Sequence, residues 1–91
     1  MMAALVRIAG RVHGVGYRQW LVHEARRNGL SGWVRNRRDG TVEALLSGER
    51  DALQAVLTAC RRGPPAAQVT SVEEAFAEPP DEPGFIRLPT L

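Results

Sequence analysis

The apolar residues of this 91-residue chain change their spacing repeatedly, and the order of those changes leaves few folds open. Ala4, Val6, Ile8 and Gly10 alternate with Leu5, Arg7, Ala9 and Arg11, the two-residue period of a half-buried strand. From Tyr17 the period lengthens. Tyr17, Leu21 and Ala25 recur every four residues with Trp20 beside them, as on the buried stripe of a helix. Asn28-Gly29 ends that helix, with Gly29 as its left-handed closing residue. Leu30–Arg37 reads as a second strand, Asp39-Gly40 as a hairpin turn, and Thr41–Ser47 as the partner strand. Val42, Ala44 and Leu46 then share one face and Glu43 takes the other. Leu53, Val56, Leu57 and Cys60 return to helical spacing between Glu49 and Arg62, where Gly63-Pro64-Pro65 stops the helix. A strand is expected over Gln68–Ala77, followed by the turn-rich EPPDEPG at 78–84. Phe85–Leu88 is then either a fifth, edge strand or a docked tail.

The order β-α-β-β-α-β is the split βαβ, or ferredoxin-like, arrangement of an α+β domain. It predicts two helices on one face of a mostly antiparallel sheet, and no linker divides residues 1–91 into two domains. In that topology strands one and two run parallel with strand three between them. Their C-terminal ends therefore emerge at one edge of the sheet, bringing residues 10–18 close to Asn36. Asn36 shares parity with Val34 and is expected to face the helices.

Composition removes several classes of function. All 12 basic residues are arginine, which reads as compositional bias, and a net charge of +2 gives no footprint for a polyanion. An RNA-binding module on this topology needs base-stacking aromatics on its central strands, and ALVRIAGRV and TVEALLSG contain none. The single cysteine, Cys60, excludes an intrachain disulfide and a cysteine metal cluster, and is expected as a small buried hydrophobe. His13 and His23 have no third ligand nearby, so no metal or other cofactor is expected. No apolar run is long enough for a membrane span. The opening MMAALVRIAG lacks a basic leader and breaks at Arg7, so a cytoplasmic location is expected. Trp20 and Trp33 read as packing residues, His23 as exposed, and Arg35, Arg37 and Arg38 as a solvated hairpin end. Arg7 and Glu43 are expected to pair across strands one and three on the open face.

One stretch calls for more than a turn. GRVHGVGYR, residues 10–18, places Gly10, Gly14 and Gly16 between a strand and a helix and closes on Arg18. Bare N–H groups leading into a helix N-terminus favour an anion, because unpaired donors and the helix dipole act together. The P-loop pattern is absent, since the chain has no lysine, and Gly14-Val15-Gly16 continues as Tyr17-Arg18-Gln19 rather than completing GxGxxG. What remains is either a small cradle with one guanidinium at its rim, suited to a single phosphoryl group, or an ordinary glycine-rich turn.

Taken together, Gly10-x-Val12-x-Gly14-Val15-Gly16-Tyr17-Arg18, then Gly29-Leu30-x-Gly32-Trp33-Val34-Arg35-Asn36, then Asp39-Gly40-x-Val42-Glu43 and Gly48, resemble acylphosphatase. The dense part of the resemblance covers the first half of the chain, and the second half agrees in length, element order and Phe85. The resemblance implies hydrolysis of acyl phosphates to a carboxylate and inorganic phosphate, without metal or covalent intermediate. It implies that Arg18 binds phosphate, that Asn36 orients the attacking water, and that the loop Val12, His13, Gly14, Val15, Gly16, Tyr17 and Arg18 supplies N–H donors. A small-molecule substrate, inorganic phosphate or sulfate as competing anions, and a monomer without nucleic-acid or membrane partner are the matching expectations. The alternative is a non-catalytic anion-binding or regulatory domain of the same fold. His13 stands where the family usually has glutamine, Tyr17 where phenylalanine is common, and the closing PTL is unlike the usual ending; none of these touches Arg18 or Asn36.

Overall fold

The computed structural model describes residues 2–91. Its elements are β1 (Met2–Arg11), α1 (Tyr17–Arg27), β2 (Ser31–Asn36), β3 (Val42–Gly48), α2 (Arg50–Arg62), β4 (Gln68–Phe76) and β5 (Phe85–Arg87). The strands form one sheet in the order β4-β1-β3-β2-β5. β3 pairs antiparallel with both β1 and β2, so β1 and β2 run parallel with β3 between them, as the ferredoxin-like reading requires. The open question over 85–88 is answered by β5, a short edge strand that pairs parallel to β2.

The alternation of each strand selects its inward face. Val6 and Ile8 of β1, Val34 of β2, and Val42, Ala44 and Leu46 of β3 are fully buried. They pack against Leu21, Val22 and Ala25 of α1 and against Leu53, Val56, Leu57 and Cys60 of α2. Phe85 joins this core from β5, and the Arg26 Nε of α1 donates to its carbonyl at 3.1 Å. α1 closes with Gly29 at φ 70° and a Leu30 N–H bond to the Ala25 carbonyl, the left-handed cap read from Asn28-Gly29.

β4 is the exposed edge of the sheet, and its Phe76 is 89% exposed. Its pairing with β1 shifts by one residue between Ala9 and Gly10. At Gly10 the β4 backbone comes so close that a Cβ would sit 2.2 Å from the Gln68 carbonyl oxygen. This bulge bends the end of β1 toward the following loop.

On the open face, Arg7 of β1, Glu43 of β3 and Arg35 of β2 lie in one cross-strand row. Arg7 meets Glu43 at 3.4 Å, as expected, but the reading of Arg35 and Arg37 as a solvated hairpin end is corrected. Arg35 Nε donates to Glu43 at 2.8 Å and Arg37 reaches the same oxygen at 3.4 Å, because the β2–β3 register lays both beside a carboxylate only 7% exposed. Trp33 packs on the same face beneath the Arg35 guanidinium, 4.7 Å from the ring centre.

Candidate active site

The loop after β1 and the end of β2 meet where the topology places them. A cleft of about 160 Å³ opens there, lined by Val12, Gly14, Gly16, Tyr17, Arg18, Gln19, Asn36 and Arg87. It is well below the size of pockets that hold drug-sized ligands. No acidic side chain lines it, and two arginines do.

α1 begins in an unusual way. Its N-cap is Gly16, left-handed at φ 80°, with no side chain to accept from the first turn and no acidic residue within that turn. The first intrahelical bond is Trp20 N–H to the Gly16 carbonyl, so the N–H groups of Tyr17, Arg18 and Gln19 have no acceptor within the helix. α2 presents the contrast, since Asp51 sits in its first turn. The positive end of α1 is thus left unneutralised facing the cleft, with a concentration of bare donors that attracts an anion. Gly14 is also left-handed, at φ 71°, and a Cβ at either glycine would meet no protein atom within 4 Å. Packing does not demand these two glycines; their left-handed backbone does, and it leaves the N–H groups between them uncovered.

Asn36 closes the cleft from the end of β2. It is only 9% exposed, on the helix-facing side that its parity with Val34 predicts, and its Oδ1 is buried with no hydrogen-bond partner. A buried amide oxygen without a donor is costly in a folded chain, so Asn36 is held here at the expense of stability while its side chain lines the cleft. Arg18 lies across from it in the first turn of α1. Partial burial, and then the nearby charge of Arg87, draw the pKa of Arg18 down. An arginine stays protonated regardless, so the shift records chiefly the partial burial of Arg18, with the Arg87 charge as the smaller cause.

The other residues of the expected loop divide by direction. Val12 and Tyr17 turn their side chains into the core, each 1% exposed, and leave only backbone to the cleft. Val15 packs partly against the core, and the His13 ring leaves the cleft to donate to the Thr41 carbonyl at 2.8 Å. His23 is exposed, as read, and bonds Gln19 at 3.1 Å. Arg87 and Gln19 were not anticipated. The signal for Arg87 was its spacing of two from Phe85, which becomes meaningful only once β5 is known to be a strand.

Elsewhere, a shallower depression of about 330 Å³ on the open face is lined by Arg7, Glu43, Glu73 and Glu74. Its carboxylates give it the wrong sign for an anion. Among the described residues no three His, Cys, Asp or Glu side chains converge as metal ligands, and no helix is long and apolar enough to cross a membrane.

Comparison with known proteins agrees with this fold. The family model described as acylphosphatase matches residues 4–86. A protein named acylphosphatase from Acidiphilium cryptum is 57% identical over 90 residues, covering 99% of both chains. One of the same name from Rhodospirillum rubrum is 53% identical over 91 residues and covers both chains completely. The crystal structure of acylphosphatase from Bacillus subtilis superimposes with a TM-score of 0.91 at 35% identity, covering 97% of this chain and 99% of that one.

Proposed function

The chain belongs to the acylphosphatase family and hydrolyses acyl phosphates, and from that premise we propose how its cleft performs the reaction. The observation that carries the proposal is the meeting, in one anion-sized cleft, of an uncapped helix N-terminus, Arg18 and the side chain of Asn36.

The loop from Val12 to Arg18 acts as a phosphate-binding loop. Backbone N–H groups of the loop and first turn take the phosphoryl oxygens, and Arg18 adds charge-assisted, fork-shaped bonds to them. The Asn36 side-chain amide hydrogen-bonds the attacking water and holds its oxygen toward phosphorus. The water oxygen forms the new bond to phosphorus while the bond from phosphorus to the acyl oxygen breaks, and the bonding pair leaves with the carboxylate. The proton released by the water passes to a phosphoryl oxygen, giving a carboxylate and monoanionic phosphate from a dianionic substrate. Because the conjugate acid of that leaving group has a pKa of about 4, no general acid is required. Positioning and stabilisation of charge on the equatorial oxygens then account for the catalysis, and this chain has residues for both.

The reaction so drawn uses no metal. The same proposal comprises one domain spanning residues 1–91, a monomer in the cytoplasm acting on a small molecule, no nucleic-acid or membrane partner, and inorganic phosphate or sulfate as competing anions. The test is hydrolysis of benzoyl phosphate in the presence of a chelator, with a phosphomonoester as control. Turnover of benzoyl phosphate alone, inhibited competitively by inorganic phosphate, is the expected result. Equal turnover of the monoester, or loss of activity in chelator restored by added metal, would overturn the mechanism.

A further inference from the structure

The cleft holds a second cation that the mechanism above does not use. β5 is parallel to β2, with Phe85 beside Gly32 and Arg87 beside Val34. Phe85 is buried beneath α1, and strand alternation puts Arg87 on the same face, two residues further toward the end at which β2 places Asn36. Arg26 near the end of α1 is bonded to Phe85, and Arg18 lies eight residues earlier on that helix, roughly 12 Å along its axis. Arg87 covers about half of this span by the rise of its strand, roughly 6.6 Å, and its long side chain covers the rest. It reaches the cleft wall, where it lies close enough to Arg18 to act on its charge. Among the described residues Arg87 has no salt bridge and no side-chain hydrogen bond to protein, whereas Arg7, Arg35 and Arg37 all converge on Glu43.

Two like charges facing one small cleft without a counter-ion favour the entry of an anion. We propose that Arg87 is a second anion-binding residue, engaging the phosphoryl dianion from the β5 side while Arg18 engages it from the helix. This rests on the reading of the cleft as the phosphoryl site. Arg87 sits at the rim and is exposed, so its contribution is screened by salt and falls chiefly on capture and affinity of the substrate.

The test compares wild type with Arg87→Gln and Arg87→Lys, using benzoyl phosphate as substrate and inorganic phosphate as inhibitor. For Arg87→Gln the expected outcome is a KM and a phosphate inhibition constant each raised about 3–10-fold, and a shallower decline of kcat/KM with ionic strength. Arg87→Lys should keep the salt dependence with intermediate affinity. Without phosphate, the melting temperature of Arg87→Gln should equal or exceed that of wild type, because the repulsion with Arg18 is relieved. A merely structural role for Arg87 would lower that melting temperature and leave the inhibition constant alone. Unchanged KM and inhibition constant in Arg87→Gln, beside a wild type that binds phosphate normally, would overturn this inference and leave the site standing. A wild type that neither binds phosphate nor turns over benzoyl phosphate would overturn both.

Discussion

The Tyr17 hydroxyl donates a 2.7 Å hydrogen bond to the Cys60 carbonyl, tying the first residue of α1 to the last turn of α2. The final carbonyls of a helix lack intrahelical donors. Tyr17 therefore caps α2 while anchoring the end of the glycine loop. Burial, with smaller contributions from Cys60, pushes the Tyr17 phenol well above its ordinary pKa, so the proton needed for this bond stays in place. Burial likewise pushes the Cys60 thiol up to about 11, which makes it inert rather than nucleophilic at neutral pH. Tyr17→Phe should leave a buried carbonyl unpaired at a cost of about 1–2 kcal/mol, lowering the melting temperature by roughly 5–15 °C. The loss should appear in thermal melts rather than in phosphate affinity; unchanged melting would remove the cap from this account.

Arg18 and Asn36 should separate kinetically. Arg18→Lys keeps the charge but not the planar fork, so both phosphate binding and turnover should fall. Asn36→Ala should leave phosphate inhibition nearly unchanged while lowering kcat by ~10²–10³, the size typical of one preorganised polar contact. It also removes a buried, unpartnered amide oxygen, so its melting temperature should hold or rise, as expected where a site is kept at the expense of stability. Full turnover by Asn36→Ala, or normal phosphate binding by Arg18→Lys, would reverse the roles assigned.

Much of this was legible in the chain because the apolar period changes cleanly from element to element. Strand parity alone placed Asn36 on the helix side, and the topology alone brought it to the glycine loop. β5 was legible only as one of two alternatives, since three residues carry too little period to distinguish a strand from a tail, and nothing local shows that it pairs parallel to β2. Arg87 was hidden with it. The convergence of Arg35 and Arg37 on Glu43 was hidden for a related reason: adjacency to Asp39-Gly40 suggested solvent, and only the register of two strand pairs revealed a shared carboxylate.

Glu43 should make the fold sensitive to acid. Burial pushes its carboxyl up, but Arg35, by hydrogen bond and charge, and then Arg37 and Arg7 outweigh this and hold it below its ordinary value. A group depressed in the folded state contributes stability above its unfolded pKa of about 4.3, and that contribution is lost as pH falls through the lower folded value. Glu43→Gln should therefore cost about 1–3 kcal/mol at pH 7, and the melting curves of variant and wild type should converge in strong acid. Thermal melts of both proteins from pH 7 to pH 2 provide the measurement. A gap that persists at the acid end would show that the glutamate acts by shape and not by charge.

The glycines of GRVHGVGYR should divide into one that holds the fold and two that hold the ligand. At Gly10 a Cβ would lie 2.2 Å from the Gln68 carbonyl oxygen and 2.8 Å from the Thr70 nitrogen, both backbone atoms of β4. Gly10→Ala must therefore force β4 away from β1, and it should destabilise by several kcal/mol, as severe overpacking does. At Gly14 and Gly16 the same added carbon meets nothing, and its direct cost is the left-handed conformation, about 1–2 kcal/mol at each position. Gly14→Ala and Gly16→Ala should fold, but a methyl group placed on the wall of a 160 Å³ cleft should obstruct the anion. The readout is the rise in melting temperature produced by inorganic phosphate, about 2.7 kcal/mol of stabilisation at a hundred times the dissociation constant. Wild type should show that rise, Gly14→Ala and Gly16→Ala should lose most of it from a modestly lowered baseline, and Gly10→Ala should melt far lower before phosphate is added. If Gly14→Ala and Gly16→Ala both keep the full phosphate shift, the bare backbone of this loop is not what holds the anion.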